Sequence, residues 1–380
     1  MKEVRVKNPL RMLRELGQSV WLDYIDRSIL RSGELRRLIE EDGLSGMTSN
    51  PTIFDKAIEG SSLYDESFAR LRAAKKTATE AYETLVAEDI TSAADILRPV
   101  FDQTNGADGF VSVEVSPLLA SDTAGTIREV RQWMARINRP NLMVKIPGTP
   151  EGLPAIEEMT AEGRNINITL LFSVPVYARV IEAYLRGVER ASAAGLPIHQ
   201  ISSVASFFVS RIDTEADKRL EARAQAASDA AEQGRLRSLQ GKVAIANAKL
   251  AYRLFQEQFG SARWKALAAR GARVQRPLWA STSTKNPAYP DLLYVEALVG
   301  PDTVDTIPPH TLDAFRDHGR VNPRAVMENL DDATAVFARL AEAGISIDDI
   351  TQKVLDAGVT AFSDSYHQLL ATIDRKLTGN

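Results

Sequence analysis

The chain has no cysteine among its 380 residues, which removes disulfides, thiolate zinc sites and cysteine nucleophiles together. Any chemistry it carries must use oxygen and nitrogen. Histidine is scarce too: His199, His310, His318 and His367 stand apart without the short ligand spacing of a metal centre. Each reads as a surface or satisfied core residue, and no metal is expected. Neither sign of charge dominates, with 46 basic and 50 acidic residues giving a formal net charge of -4. No basic stripe is interleaved with aromatics as a nucleic-acid surface requires, so nucleic acid is not an expected partner. No apolar run approaches the ~20 residues of a membrane span, and Met1 to Lys7 is charged, without the apolar stretch of a signal peptide. The expectation is a soluble, cytoplasmic protein with no membrane partner. Glycine-rich phosphate turns of the G-x-G-x-x-G or G-x-x-x-x-G-K-S/T kind are also missing, which argues against a nucleotide-binding doubly wound sheet.

What remains is ordinary in bulk, with 44% hydrophobic and 25% charged residues, and informative in its order. Short apolar runs recur with helical stretches between them: Ser19 to Asp23, Gly46 to Thr48, Phe110 to Val115, Leu142 to Ile146, Ile166 to Leu171 and Ile201 to Phe208, then Pro277 to Ala280 and Val304 to Ile307. Between them, Ser32 precedes a helix from Glu34 to Glu40, Ser61 and Ser62 precede one reaching Ala74, and Pro175 opens one from Val176 to Ala194. Strand alternating with helix predicts an α/β fold with a parallel sheet, and about eight such units close into a (β/α)8 TIM barrel. The length of 380 residues admits two or three domains or one barrel with insertions. The reading is a single barrel domain over 1–380, with a helical insertion at 213–269 between the sixth and seventh strands. That stretch is rich in Ala, Arg, Gln and Glu and is expected to form two or three helices with a solvated charged face, broken at Gln233-Gly234-Arg235. No internal repeat is evident.

Within the fourth run, Lys145 interrupts Leu142-Met143-Val144-Lys145-Ile146 just before Pro147-Gly148. A period of two places Leu142, Val144 and Ile146 on one face and Met143 and Lys145 on the other. Burial disfavours an ammonium, and a neutral amine is a nucleophile suited to a carbonyl carbon, with which it forms a Schiff base. A lysine that merely guards a sheet edge is the bland alternative. Reactive groups of a barrel gather at the carboxyl ends of its strands, and several candidate strands end in an out-of-place polar group. These are Asp23, Asn50, Glu114, Asn167 and Thr169, Ser206 with Arg211, and Ser281. Singly, Asp23 could cap a helix, Asn50-Pro51 could start a turn and Thr169 suits any strand. Glu114 between Val113 and Val115 is costly to bury unless paired or protonated. Together they supply a nucleophile and two acid/base groups, the minimum for Schiff-base carbon–carbon chemistry.

At these residues the sequence resembles the transaldolase family, in its larger bacterial branch. The matching segments are Thr48-Ser49-Asn50-Pro51-Thr52, Ser112-Val113-Glu114-Val115, Leu142 to Pro147, Asn165 to Ser173, and Ser206-Phe207-Phe208-Val209-Ser210-Arg211. They run in the family's order from roughly Asn8 to the C-terminus. The resemblance implies a cofactor-free and metal-free transferase of the pentose phosphate pathway. Lys145 would attack the C2 ketone of fructose 6-phosphate or sedoheptulose 7-phosphate, and Glu114 and Thr169 would hold a proton-shuttling water. Asp23 would take the C4 hydroxyl proton, breaking the C3–C4 bond. Asn50, Asn167 and Ser206 would position the dihydroxyacetone unit, and Arg211 would grip the phosphate. Where many members carry a Ser-x-Arg clamp after the seventh strand, this chain has Ser281-Thr282-Ser283-Thr284-Lys285, so Ser281 and Lys285 are the substitutes. The resemblance implies small-molecule sugar phosphates as partners, and the chain is expected as a monomer or homodimer. The rival readings are a related Schiff-base aldolase that releases free dihydroxyacetone, in which Gln tends to replace Glu114, and a catalytically silent sugar-phosphate-binding protein.

Overall fold

Eight strands, each hydrogen-bonded to the next and the last to the first, close a barrel in the computed structural model, which describes residues 8–379. They are β1 (Gln18–Asp23), β2 (Gly46–Thr48), β3 (Phe110–Glu114), β4 (Leu142–Pro147), β5 (Ile166–Leu171), β6 (Ser203–Phe208), β7 (Gln275–Ala280) and β8 (Thr303–Ile307). All eight pairings are parallel. This is the (β/α)8 barrel expected from the alternation of apolar runs. Parallel strands covered by helices are buried on both faces and read as near-continuous apolar runs, and β3, β4, β5 and β6 are buried at every position.

The differences from the expected elements have local causes. β7 begins at Gln275, two residues before Pro277, and Pro277 pairs with Ala205 inside the ladder. A proline donates no hydrogen bond and so looks like a strand boundary in sequence. Near residue 34 the helix starts on Gly33, whose φ of 87° is left-handed, and Ser32 Oγ accepts from Glu34 N at 3.2 Å. Only Glu34–Arg37 is α-helical before a wide π turn, Leu38–Asp42. Ser61 caps a short 3-10 turn, Ser62–Tyr64, ahead of the helix Asp65–Ala73. The helix assigned to Val176 begins at Val174 on the side chain of Ser173, with Pro175 in its first turn.

Between β6 and β7 lie four helices, Ser210–Ala226, Ala230–Arg237, Val243–Phe259 and Ala262–Ala268, where two or three were expected. The expected break at Gln233-Gly234-Arg235 falls inside the second of them. Gly234 costs only about 1 kcal/mol in a helix interior. The real breaks are set by the Asp229 side chain, which accepts from Ala231 N and Glu232 N, and by Gly241 at φ 71°. After β8 the chain forms Pro309–His318, Leu330–Glu342 and a 32-residue helix, Ile347–Thr378. That last helix packs on Pro51–Glu59, Ala78–Gln103 and Ser210–Ala226 and so lies across the carboxyl end of the barrel. Among the described residues no helix is long and apolar enough to cross a membrane.

Candidate active site

The strand register sets the centre of the site. Glu114 of β3 is level with Lys145 of β4, which is level with Asn167 of β5. Lys145 Nζ and the Glu114 carboxylate form an ion pair in which both side chains are buried. The ammonium also donates to the Ser49 carbonyl at 3.1 Å. Burial pushes the Glu114 carboxyl above its ordinary range, and the charge and hydrogen bond of Lys145 pull against that rise. A carboxyl so placed holds or gives up a proton readily beside the amine.

Asp23, at the end of β1, faces the same centre. Thr48 donates to its carboxylate at 2.7 Å and lies 2.6 Å from Thr306 of β8. Burial raises the Asp23 carboxyl, opposed by the charge of Lys145, the Thr48 hydrogen bond and the charge of Lys285. Asn50 caps Pro51–Glu59, its Oδ1 accepting from Ile53 N at 3.0 Å. Ser206 donates to Asn167 Oδ1 at 2.7 Å, and Asn167 donates onward to Ser112 Oγ at 3.1 Å. Thr169 Oγ1 is buried and has no hydrogen-bond partner among the described residues. The next residue, Leu170, has φ 58° where the β5–β6 register shifts. A left-handed leucine is strained, and such strain gathers where a bulge re-aims a functional side chain.

A cavity of about 190 Å³ opens at this group, and its lining includes Asp23, Asn50, Lys145, Thr169 and Ser206 together with Arg211, Ser281, Ser283 and Lys285. Arg211 has no carboxylate or hydrogen-bond partner among the described residues, and its guanidinium stands 5.5 Å from the Phe208 ring and 5.9 Å from that of Phe362. Burial lowers the Arg211 pKa. Lys285 Nζ donates to Ser283 Oγ at 2.7 Å, and its pKa is lowered by burial and by Arg211. Two cations lining one cavity, neither in a direct ion pair with a carboxylate among the described residues, form a setting for an anion.

Most sequence candidates therefore meet at one end of the barrel. Glu114 does not line that cavity but a narrow cleft beside it, shared with Lys145, Thr169, Leu170, Val359 and Phe362. Asn167 is fully buried and reaches the cavity through Ser206. The sequence reading missed Thr48, Thr306, Ser283 and Phe362; His310 is exposed, within the surface-or-core expectation, and it also lines the cavity. Thr48 was within reach, since it opens the quoted Thr48-Ser49-Asn50 segment. Phe362 carried no local signal. Among the described residues no group of three or more His, Asp or Glu side chains converges as a metal site would need.

Residues 20–373 match the family described as transaldolase/fructose-6-phosphate aldolase. The chain belongs to that family. Among curated relatives, the transaldolase of Acidothermus cellulolyticus is 48% identical over 97% of each chain. That of Thermobifida fusca is 47% identical over 98% of this chain and 99% of its own, and that of Trichodesmium erythraeum is 45% identical over 98% of both. The family match thus begins within β1 and takes in the other seven strands and the four helices after β6.

Proposed function

We propose that this protein is a transaldolase of the pentose phosphate pathway, moving a dihydroxyacetone unit from sedoheptulose 7-phosphate to glyceraldehyde 3-phosphate. The products are erythrose 4-phosphate and fructose 6-phosphate. The observation that carries the reading is the buried ion pair of Lys145 with Glu114, beside a cavity whose lining holds Lys145, Asp23, Arg211 and Lys285. An amine, two separately tuned carboxyls and two cations around one cavity fit a phosphorylated ketose.

Glu114 takes the proton of the Lys145 ammonium, and the free amine adds to the C2 ketone. Glu114 returns a proton, by a water held with Thr169 Oγ1, to the departing hydroxyl of the carbinolamine, leaving an iminium. Asp23 then removes the C4 hydroxyl proton. The C3–C4 electron pair moves into the iminium, the bond breaks, and an aldose phosphate leaves while a three-carbon enamine stays on Lys145. Asn50 and Ser206, the latter backed by Asn167, hold the hydroxyls of that fragment until an acceptor aldose phosphate reverses the steps. Arg211 and Lys285 grip the phosphate of each partner in turn. A relative that releases free dihydroxyacetone is disfavoured by the carboxylate at 114, and a silent binding protein has no need of Lys145, Glu114 and Asp23 together. We place the reaction in the cytoplasm, treat 1–380 as one barrel unit with its insertion at 213–269, and expect a monomer or homodimer, which sedimentation will distinguish.

The test is borohydride reduction in the presence of fructose 6-phosphate, followed by peptide mapping. A three-carbon adduct is expected on the peptide spanning Leu142 to Pro147, and Lys145→Ala should abolish both adduct and turnover. An adduct on another lysine would overturn the assignment.

A further inference from the structure

The helix that carries Arg211, Ser210–Ala226, also carries Asp213 and Asp217, one turn apart. The two carboxylates are bound in the same way. Asp213 accepts from the Tyr294 hydroxyl at 2.9 Å and from Ala244 N at 2.7 Å. Asp217 accepts from the Tyr289 hydroxyl at 2.7 Å and from Gly241 N at 3.0 Å. Each therefore joins three segments: the Arg211 helix, the stretch after β7, and the start of Val243–Phe259. Tyr289 also covers Gly241 so closely that a Cβ there would lie 3.0 Å from its ring.

The stretch after β7 is the one that presents Ser281, Ser283 and Lys285 to the cavity. Its base is fixed by Ser281, whose carbonyl accepts from Ser210 N at 3.1 Å and whose hydroxyl lies 2.9 Å from Ser210 Oγ. Thr284 Oγ1 donates to the Pro290 and Asp291 carbonyls, folding the stretch back on itself. Its far end is held by the two phenols. Lys285 is thus carried on a span tied at both ends to the helix of Arg211, and the ties at the far end run through residues of the helical insertion. Hydrogen bonds from a phenol and a backbone amide converging on one half-buried or buried carboxyl fix the geometry of the segments they join.

We propose that Asp213, Asp217, Tyr289 and Tyr294 form a double clamp that sets the separation of Arg211 from Lys285, and that they are positioning residues for the phosphate of the substrate. The helical insertion acts in this way as a brace for the anion end of the site. The inference rests on the transaldolase reading. Loosening the clamp lets Lys285 drift while Lys145, Glu114 and Asp23 keep their places on the strands, so the loss falls on phosphorylated substrates selectively.

The test compares Tyr289→Phe and Asp217→Asn with the unaltered protein in three measurements: kcat/KM for fructose 6-phosphate, kcat/KM for unphosphorylated fructose, and competitive inhibition by inorganic phosphate. Either variant should lower kcat/KM for the phosphorylated sugar roughly ten-fold and weaken phosphate inhibition by a similar factor, while activity on fructose stays within about two-fold. Tyr289→Phe removes only the hydroxyl, so its ring still packs on Gly241, and its melting temperature serves as a control for folding. Equal proportional loss on both sugars, or phosphate inhibition unchanged in both variants, would overturn the clamp. If the unaltered protein neither turns over fructose 6-phosphate nor forms the Lys145 adduct, the transaldolase reading fails first, and the two failures are told apart.

Discussion

Lys145 and Glu114 balance each other in a buried place, so the chemistry of one cannot be altered without exposing the charge of the other. Removing one member of such a pair typically costs ~3–5 kcal/mol of stability. Glu114→Gln limits that effect by keeping volume and an acceptor, and it isolates the proton transfer. We expect Glu114→Gln to slow Schiff-base formation by roughly 10² to 10⁴, the range for a positioned acid/base group. Asp23→Ala should form the full-length ketose adduct and then cleave it slowly. Rapid-quench trapping with borohydride separates the two, and both variants stalling at one step would refute the division of roles. The legibility of these residues has the same root. A charge inside an apolar run is costly, so Lys145 and Glu114 declare themselves in sequence. Thr48, Thr306 and Ser49, which hold Asp23, one another and the lysine, are commonplace in and beside strands and declare nothing by residue type, so that Thr48 and Ser49 were within reach only through the Thr48-Ser49-Asn50 segment.

At the scale of elements, the eight strands were legible because buried parallel strands leave apolar runs, and the short helices after β6 were not. Their ends are fixed by single side-chain caps such as Asp229 and Ser261, while the glycine that looked like a break tolerates helix. The part of the long helix Ile347–Thr378 in the site was invisible because it arises only on packing. Gly358 lets that helix settle on the site, since a Cβ there would lie 3.1 Å from Leu170 and 3.4 Å from Arg211. One turn on, Phe362 lines both the cleft of Glu114 and Lys145 and the larger cavity beside it. On the proposed mechanism, an aromatic ring there would keep water from the enamine on Lys145. Phe362→Ala should accordingly raise release of free dihydroxyacetone relative to transfer, measured with and without an acceptor aldose phosphate, while the Lys145 adduct still forms. Because the ring is only partly buried, folding should survive. An unchanged ratio of release to transfer would remove Phe362 from this role.

The whole molecule divides its polar interior between the two ends and the wall of the barrel. At the amino end, Asp108 accepts from Trp21 Nε1 at 2.8 Å and meets Ser19 and Arg276, so its charge is matched by donors far from the cavity. Conserving shape at that end serves stability, as expected of a barrel whose chemistry is at the other. The wall holds a less satisfied group. Asp305 of β8 is fully buried, accepts from Thr282 at 2.9 Å through one oxygen, and has no hydrogen-bond partner among the described residues for the other. Burial pushes its carboxyl up to about 7 from an ordinary 3.8. Between those values the folded chain keeps a proton that the unfolded chain has lost, so stability falls as pH rises through the window and levels off above about 7. At ~1.4 kcal/mol per unit, the window from 3.8 to about 7 sets a ceiling of about 4 kcal/mol on the effect. Asp305→Asn leaves Thr282 an acceptor and removes the titration. Any cost of burying the amide is the same at every pH. Denaturant unfolding at pH 5 and pH 8 should therefore show the variant gaining on the unaltered protein at the higher pH, whatever their order at the lower. Parallel pH profiles would mean that Asp305 is already ionised in the fold, with its second oxygen satisfied by a donor such as the neighbouring Trp279 indole.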